Sequence, residues 1–193
     1  MAILHAATAR AEVEGQAPQS VGSWRVFGNH SATGAALMAP GQVLAEVNSV
    51  LLSGSTGEIN DIPFDGEVTA AFLFWSGSAP RSSRSGPPNP PDRTVDFTLA
   101  DGTFYDDLSV DTDPTGFGRC VTVSRLGGFY YCRRDVTELL QQQGPGNANG
   151  IYRVGDVEAD PGLLDPDDPQ WPYAQAKYAN WSLLVVWEAD SEP

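Results

Sequence analysis

Two stretches of this chain are apolar where a strand with one wet face would alternate. In residues 181–187, WSLLVVW, only Ser182 is polar. In residues 66–78, GEVTAAFLFWSGS, Phe72 and Phe74 fall on one parity and Leu73 and Trp75 on the other. Successive side chains of a strand point to opposite faces, so each run must bury both. One cover is a second sheet. The other is either the loops and a minor helix or another subunit. Burying an apolar side chain is worth roughly 1.5–3 kcal/mol, so an uncovered second face would drive association.

The rest of the chain supplies strands at intervals of about ten residues with turn residues between them. Residues 23–29 read as a strand ending at a Gly-Asn turn. Within residues 41–54, Val43, Val47 and Val50 favour strand over amphipathic helix. Residues 52–57, LSGSTG, read as a turn. Residues 80–93 are Pro-rich and cannot pair in a sheet, so they form an exposed loop. Val95, Phe97 and Leu99 share a face, Ala100-Asp101-Gly102 turns the chain, and Phe104 starts the return. Residues 150–159 form another strand. The one helix expected lies in residues 133–144: Asp135 caps it, Glu138 stands three residues later as in a capping box, Val136, Leu139 and Leu140 form its buried stripe, and Gly144 stops it. This pattern is that of an all-β antiparallel β-sandwich with one short helix near 135–143. It reads as a single domain over residues 21–193, preceded by an arm of residues 1–20.

Cys120 and Cys132 are the two cysteines, and they bracket VTVSRLGGFYY. Folded as a hairpin about Leu126, with Arg125-Leu126-Gly127 at the tip, the segment sets Val121 against Tyr131, Thr122 against Tyr130 and Val123 against Phe129. Cys120 then faces Cys132, close enough to bridge. The alternative is a pair of buried thiols in a reducing compartment.

Charge excludes several partners. Lys+Arg number 11 against 25 Asp+Glu, for a net charge of −14 and a pI near 4.2. Such a surface repels nucleic acid and anionic lipid. No apolar run approaches the ~20 residues of a membrane-spanning helix, so no membrane insertion is expected. Ala9-Arg10-Ala11 fits a leader cleavage site, but the apolar stretch before it is short and a basic start is missing. The first residues are a leader remnant or a flexible arm. As an arm they could be donated to a neighbour as an added strand, although Ala and Glu give them low strand propensity.

Catalytic chemistry has few parts to work with. His5 and His30 both lie near the N-terminus, and there is no G-x-S-x-G elbow, no phosphate-binding loop and no dinucleotide fingerprint. With 25 acidic residues, any chosen carboxylate pair is uninformative. The chain is therefore read as non-enzymatic. For calcium, Asp111 and Asp113 take alternate positions before Gly116, and Asp160, Asp165, Asp167 and Asp168 add oxygen ligands, but the terminal Glu of a full EF-hand loop is missing. The competing reading is a charged Asp-Pro turn. For a glycan, Trp171 and Tyr173 in a Pro-rich loop are the candidate stacking residues, with Tyr130 and Tyr131 as others; the competing reading is packing of the loop onto the sandwich. Trp24, Trp75, Trp181 and Trp187 are placed in strands, as core or interface. Lys177, the one lysine, is read as a solvated side chain.

Taken in order, VFGN (26–29), AFLFWSGS (71–78), RDVTELL (134–140), GIYRVGDV (150–157) and NWSLLVVWE (180–188) resemble the motifs of β-sandwich domains in secreted bacterial cell-surface proteins of the adhesin type. The resemblance covers most of the chain. It implies a jelly-roll-like sandwich outside the cell with a structural or adhesive role; with the uncovered apolar face, this makes self-association or other surface proteins the expected partners. It brings no catalytic residues. Domains of that type continue past the closing strand, whereas this sequence stops at Pro193, so any further strands would come from elsewhere.

Overall fold

The structure is a computed structural model that describes residues 23–39, 50–78, 91–110, 120–123, 129–159 and 178–190. Its strands are β1 (Gly28–Ala36), β2 (Met38–Ala39), β3 (Val50–Leu51), β4 (Gly54–Ile59), β5 (Glu67–Ser78), β6 (Thr94–Thr98), β7 (Phe104–Ser109), β8 (Val121–Val123), β9 (Phe129–Asp135), β10 (Gly150–Gly155) and β11 (Ala179–Glu188). One helix, α1 (Thr137–Gln141), interrupts them. A five-stranded sheet, β1-β11-β5-β9-β8, packs on a four-stranded sheet, β4-β10-β6-β7. The long strands pair antiparallel in nested fashion: β1 with β11, β4 with β10, β5 with β9, β6 with β7. A long hairpin wrapped on itself produces this order, and it is the order of a jelly roll.

The two unalternating runs are β5 and β11, and they lie side by side in the middle of the five-stranded sheet. Their inward parity, Leu73, Trp75, Trp181, Leu183 and Val185, meets Val95, Phe97, Tyr152 and Val154 from the other sheet, all at 2% exposure or less. Three indoles enter this core, and each N–H finds an acceptor: Trp75 on Asp92 O at 3.1 Å, Trp181 on Ser55 Oγ at 2.8 Å, Trp187 on Ser31 Oγ at 3.0 Å. Satisfying the N–H lets so large a ring be buried without a desolvation penalty.

Other elements depart from the sequence reading. Gly28-Asn29 opens β1 instead of ending a strand, and residues 23–26 are not in a strand. A Cβ at Gly28 would stand 2.1 Å from Trp187 O, so glycine lets β1 approach β11 this closely. Residues 54–57 belong to β4 and are not a turn. Its two glycines sit at close approaches: a Cβ at Gly57 would meet Thr33 Oγ1 at 2.4 Å and the Trp181 ring at 3.1 Å, and one at Gly54 would meet the Arg153 guanidinium at 2.4 Å. Of the segment 41–54, β3 and the start of β4 are described.

The helix is shorter than its pattern. Arg133, Arg134 and Asp135 extend β9 along Phe74, Leu73 and Phe72, so sheet pairing takes the first turn away from α1. No capping box forms. Asp135 Oδ1 instead accepts from the Thr137 N–H at 2.9 Å and the Thr137 hydroxyl at 2.6 Å. Thr137 Oγ1 in turn accepts the Ala71 N–H at 2.9 Å, and Gln141 Nε2 donates to Val68 O at 2.9 Å. Both contacts lie past the end of the β5–β9 ladder at Phe72, where α1 satisfies backbone groups that β9 no longer reaches. Val136 and Leu140 of the expected stripe are fully buried.

Two hairpins follow the sequence closely. Leu99 N–H donates to Thr103 O at 2.9 Å and Gly102 N–H to Leu99 O at 3.0 Å, closing the turn at Ala100-Asp101-Gly102. In the cysteine hairpin Val121 pairs with Tyr131, Thr122 with Tyr130 and Val123 with Phe129, and Cys120 and Cys132 form a disulfide with Cα atoms 4.0 Å apart. The tip residues 125–127 lie outside the described residues.

Candidate binding face

An antiparallel sheet in a sandwich usually shows water a polar outer face. The four-stranded sheet does so with Thr56, Glu58, Asp96, Thr98 and Arg153, among which only Ile151 and Phe104 are large exposed apolar side chains. The five-stranded sheet does not. Its register sets Ala32, Leu184 and Phe72 in one row, then Gly34, Ser182, Phe74 and Arg133, then Ala36, Asn180, Ser76 and Tyr131. This outer parity of β5 and β11 is what the two-faced sequence runs encode.

Aromatic rings cross the face diagonally. Trp24 lies 5.6 Å from Phe72, Phe72 6.4 Å from Phe74, and Phe74 stacks on Tyr131 at 5.7 Å, centroid to centroid. The Arg133 guanidinium sits 5.4 Å above the Phe72 ring, where the ring's negative face attracts it. Ala70, Phe72 and Val186 form a second, small buried cluster, with Val26 and Phe74 packed against it. Among the described residues, part of the second cover is the segment that leads into β1, through Trp24 and Val26; the sequence reading offered the helix and long loops, or another subunit, and the loops lie outside the described residues. This cover is partial: Trp24 keeps 36% exposure and Tyr131 48%. Trp24 accordingly belongs to this face and to no strand, while Trp75, Trp181 and Trp187 are core.

Beyond the rings the face turns polar. Ser76 Oγ donates to Asn180 Oδ1 at 2.6 Å, and Asn180 Nδ2 donates to the Tyr178 hydroxyl at 2.5 Å. Tyr178 meets Phe129 edge-on at 6.3 Å. Small residues leave a shallow groove of about 720 Å³ here, lined by Gly34, Ala36, Met38, Tyr178, Asn180 and Ser182 among others. Its floor is flat and uncharged, flanked by a side-chain amide and by aromatic rings. That combination suits an extended polypeptide or the flat face of a sugar.

The other candidates from the sequence distribute as follows. Tyr130 turns inward, 2% exposed, with its hydroxyl donating to Glu158 O at 2.6 Å, so it packs the core; its neighbour Tyr131 is on the open face. His30 is exposed on β1. His5, Asp111, Asp113, Asp160, Asp165, Asp167, Asp168, Trp171, Tyr173, Lys177 and the arm 1–20 lie outside the described residues. Among the described residues no group of three or more His, Cys, Asp or Glu could hold a metal ion. The sequence separated Phe72 and Phe74 from Leu73 and Trp75 by parity but did not say which pair faces outward; nor did it bring Tyr178, Asn180 and Ser182 together, because nothing in a strand's sequence says which neighbour its polar residues meet. Comparison with family models, with curated proteins and with solved structures returned no match.

Proposed function

We propose that this chain is a non-enzymatic structural or adhesive unit of the extracellular space, and that the outer face of its five-stranded sheet is its working surface. The observation that carries the reading is the contrast between the two outer faces: one alternates to polar side chains, the other keeps Phe72, Phe74, Leu184 and Tyr131 beneath a partial cover. An apolar sheet face retained on an acidic chain marks a contact surface. The Cys120–Cys132 bridge supports an oxidising compartment. The ordered likeness to secreted surface domains supports the same placement. Assembly into a filament or surface layer, by donation of an extended segment between copies, follows from this reading. Sedimentation and electron microscopy of the full chain, with and without residues 1–20, test it. Concentration-dependent assembly is expected, and trimming should weaken it. Monomers at high concentration, unaffected by trimming, would overturn it.

A second reading is a carbohydrate-binding module, favoured by one observation: the exposed Tyr178 bonds the Asn180 amide, and the exposed Tyr131 lies in the same cross-strand row beyond Ser76. Rings stack on sugar faces while amides take hydroxyls. A glycan array in which binding disappears on Tyr131→Ala would favour this reading over assembly. The calcium form of the alternative rests on Asp111 and Asp113, and calorimetry with calcium chloride tests it.

A further inference from the structure

We infer that β1 is an open docking edge for the β1 strand of a second copy, paired antiparallel about a two-fold axis at Ala32. The inference rests on the self-association reading above and adds to it a strand-edge contact separate from segment donation.

Backbone parity shows which groups face outward. At one end of the β1–β11 ladder the Leu37 N–H donates to Ala179 O at 2.8 Å; at the other the Ala189 N–H donates to Phe27 O at 2.9 Å. The register between them runs without a shift. Odd-numbered residues therefore turn their N–H and C=O toward β11, and Gly28, His30, Ala32, Gly34 and Ala36 turn theirs away from the sheet. Within this set the His30 N–H is held by Asn29 Oδ1 at 2.9 Å. His30, Ala32, Gly34 and Ala36 are exposed.

Among the described residues, the other sheet edges carry protection that β1 lacks. β4 has the exposed Glu58. β7 has Asp106 and Asp107, a register shift against β6, and Asp107 at a φ of 50°. β8 is three residues long. Charge, irregularity and shortness are the standard guards against edge-to-edge pairing. β1, GNHSATGAA, is nine residues long, without Asp, Glu, Lys, Arg or Pro. On a chain of net charge −14 the carboxylates stand on β4 and β7 and are missing from this edge.

A second copy fits this edge because the pattern is its own complement. The five outward-facing residues are spaced evenly about Ala32. A two-fold axis there sets Gly28 against Ala36, His30 against Gly34 and Ala32 against Ala32, so every outward N–H and C=O meets another once the His30 N–H exchanges Asn29 Oδ1 for Gly34 O of the second copy. Side chains beside the edge on the outer face are alanines and glycines, which clear the ~4.8 Å approach of paired strands, and His30, which would face Gly34. No carboxylate opposes a carboxylate. The contact is isologous and closes as a dimer, joining two five-stranded sheets into one and extending the groove and aromatic face across it.

Sedimentation velocity of the intact chain over a concentration series, repeated on two variants, tests the pairing. Ala32→Pro removes an N–H that β11 does not use, and Ala36→Lys places a cation at the edge. Each should leave the far-ultraviolet spectrum unchanged and weaken dimerisation at least tenfold. Ala32→Cys should form a covalent dimer under mild oxidation, whereas Thr56→Cys, on the other sheet's outer face, should not. Should the parent chain associate while both edge variants associate equally well, the β1 contact is wrong and the self-association reading survives. Should the parent chain remain monomeric throughout, both fall.

Discussion

The indole of Trp24 lies on Phe72, ring centroids 5.6 Å apart and planes tilted by 54°, and so closes part of a sheet face that would otherwise be bare. Trp24 lies ahead of β1 and has no ladder to hold it, so its contact with Phe72 must fix the segment. Trp24→Ala is expected to cost about 1–2 kcal/mol in urea denaturation, less than a fully buried aromatic because a third of the ring stays wet. The same variant should bind more of a hydrophobic dye, since Phe72, Ala70 and Val186 lose their cover. Unchanged dye binding would mean that the face is covered by something other than Trp24.

The buried pair Trp187–Ser31 makes a sharper demand. The indole N–H donates to Ser31 Oγ at 3.0 Å, and the two residues keep 2% and 3% exposure. Ser31→Ala leaves the donor without a partner in the core, which costs about 1–3 kcal/mol. Ser31 is the only buried residue of β1, so the loss falls on the strand proposed as the docking edge. Denaturation should show the destabilisation, and hydrogen exchange should show faster opening of β1 relative to β5.

The sandwich was legible because its strongest signals are local. Period-two patterns, the register across VTVSRLGGFYY and the two-faced runs each state where their side chains go. What misled were small residues. Gly54-Ser55-Thr56-Gly57 has turn composition, yet it pairs with β10 as β4, and its glycines are there because Arg153 crowds residue 54 and Thr33 and Trp181 crowd residue 57. Gly28-Asn29 likewise looks like a strand end and is a strand start. The helix lost its first turn because Arg133–Asp135 gain more from the β5 ladder than from an isolated cap. The apolar outer face was half legible: the pattern said that a second face needed cover, and only the packing shows that Trp24 and Val26 supply part of it.

The Cys120–Cys132 bridge closes a short loop, with a sequence separation of 12. Replacing both cysteines by serine should cost roughly 2–3 kcal/mol in the chain-entropy account. A further cost arises because residue 132 is fully buried and serine would bring a hydroxyl into the core. Cys→Ala at both positions should therefore be less destabilising than Cys→Ser, a difference that parallel urea titrations measure. Equal losses would place residue 132 in contact with water.

Alkaline pH probes the core through its tyrosines. Tyr152 is fully buried, its hydroxyl donates to Ala148 O at 2.6 Å, and burial pushes its pKa up to about 12. Tyr130 is shifted upward in the same way, first by burial and then by the carboxylates of Asp92 and Glu158. An unfolded tyrosine titrates near 10. Between those values the unfolded chain loses a proton that the folded chain retains, so the stabilisation is complete below pH 10 and declines as pH rises toward 12. Tyr152→Phe separates the two effects. Without the hydrogen bond the variant should be about 1 kcal/mol less stable at pH 7. Without the phenol it should lose less than the parent chain between pH 10 and 12, so the two stability curves converge as pH rises. Parallel curves in urea titrations at pH 7, 10 and 11 would show that this ring reaches solvent and that the two sheets do not seal the core around it.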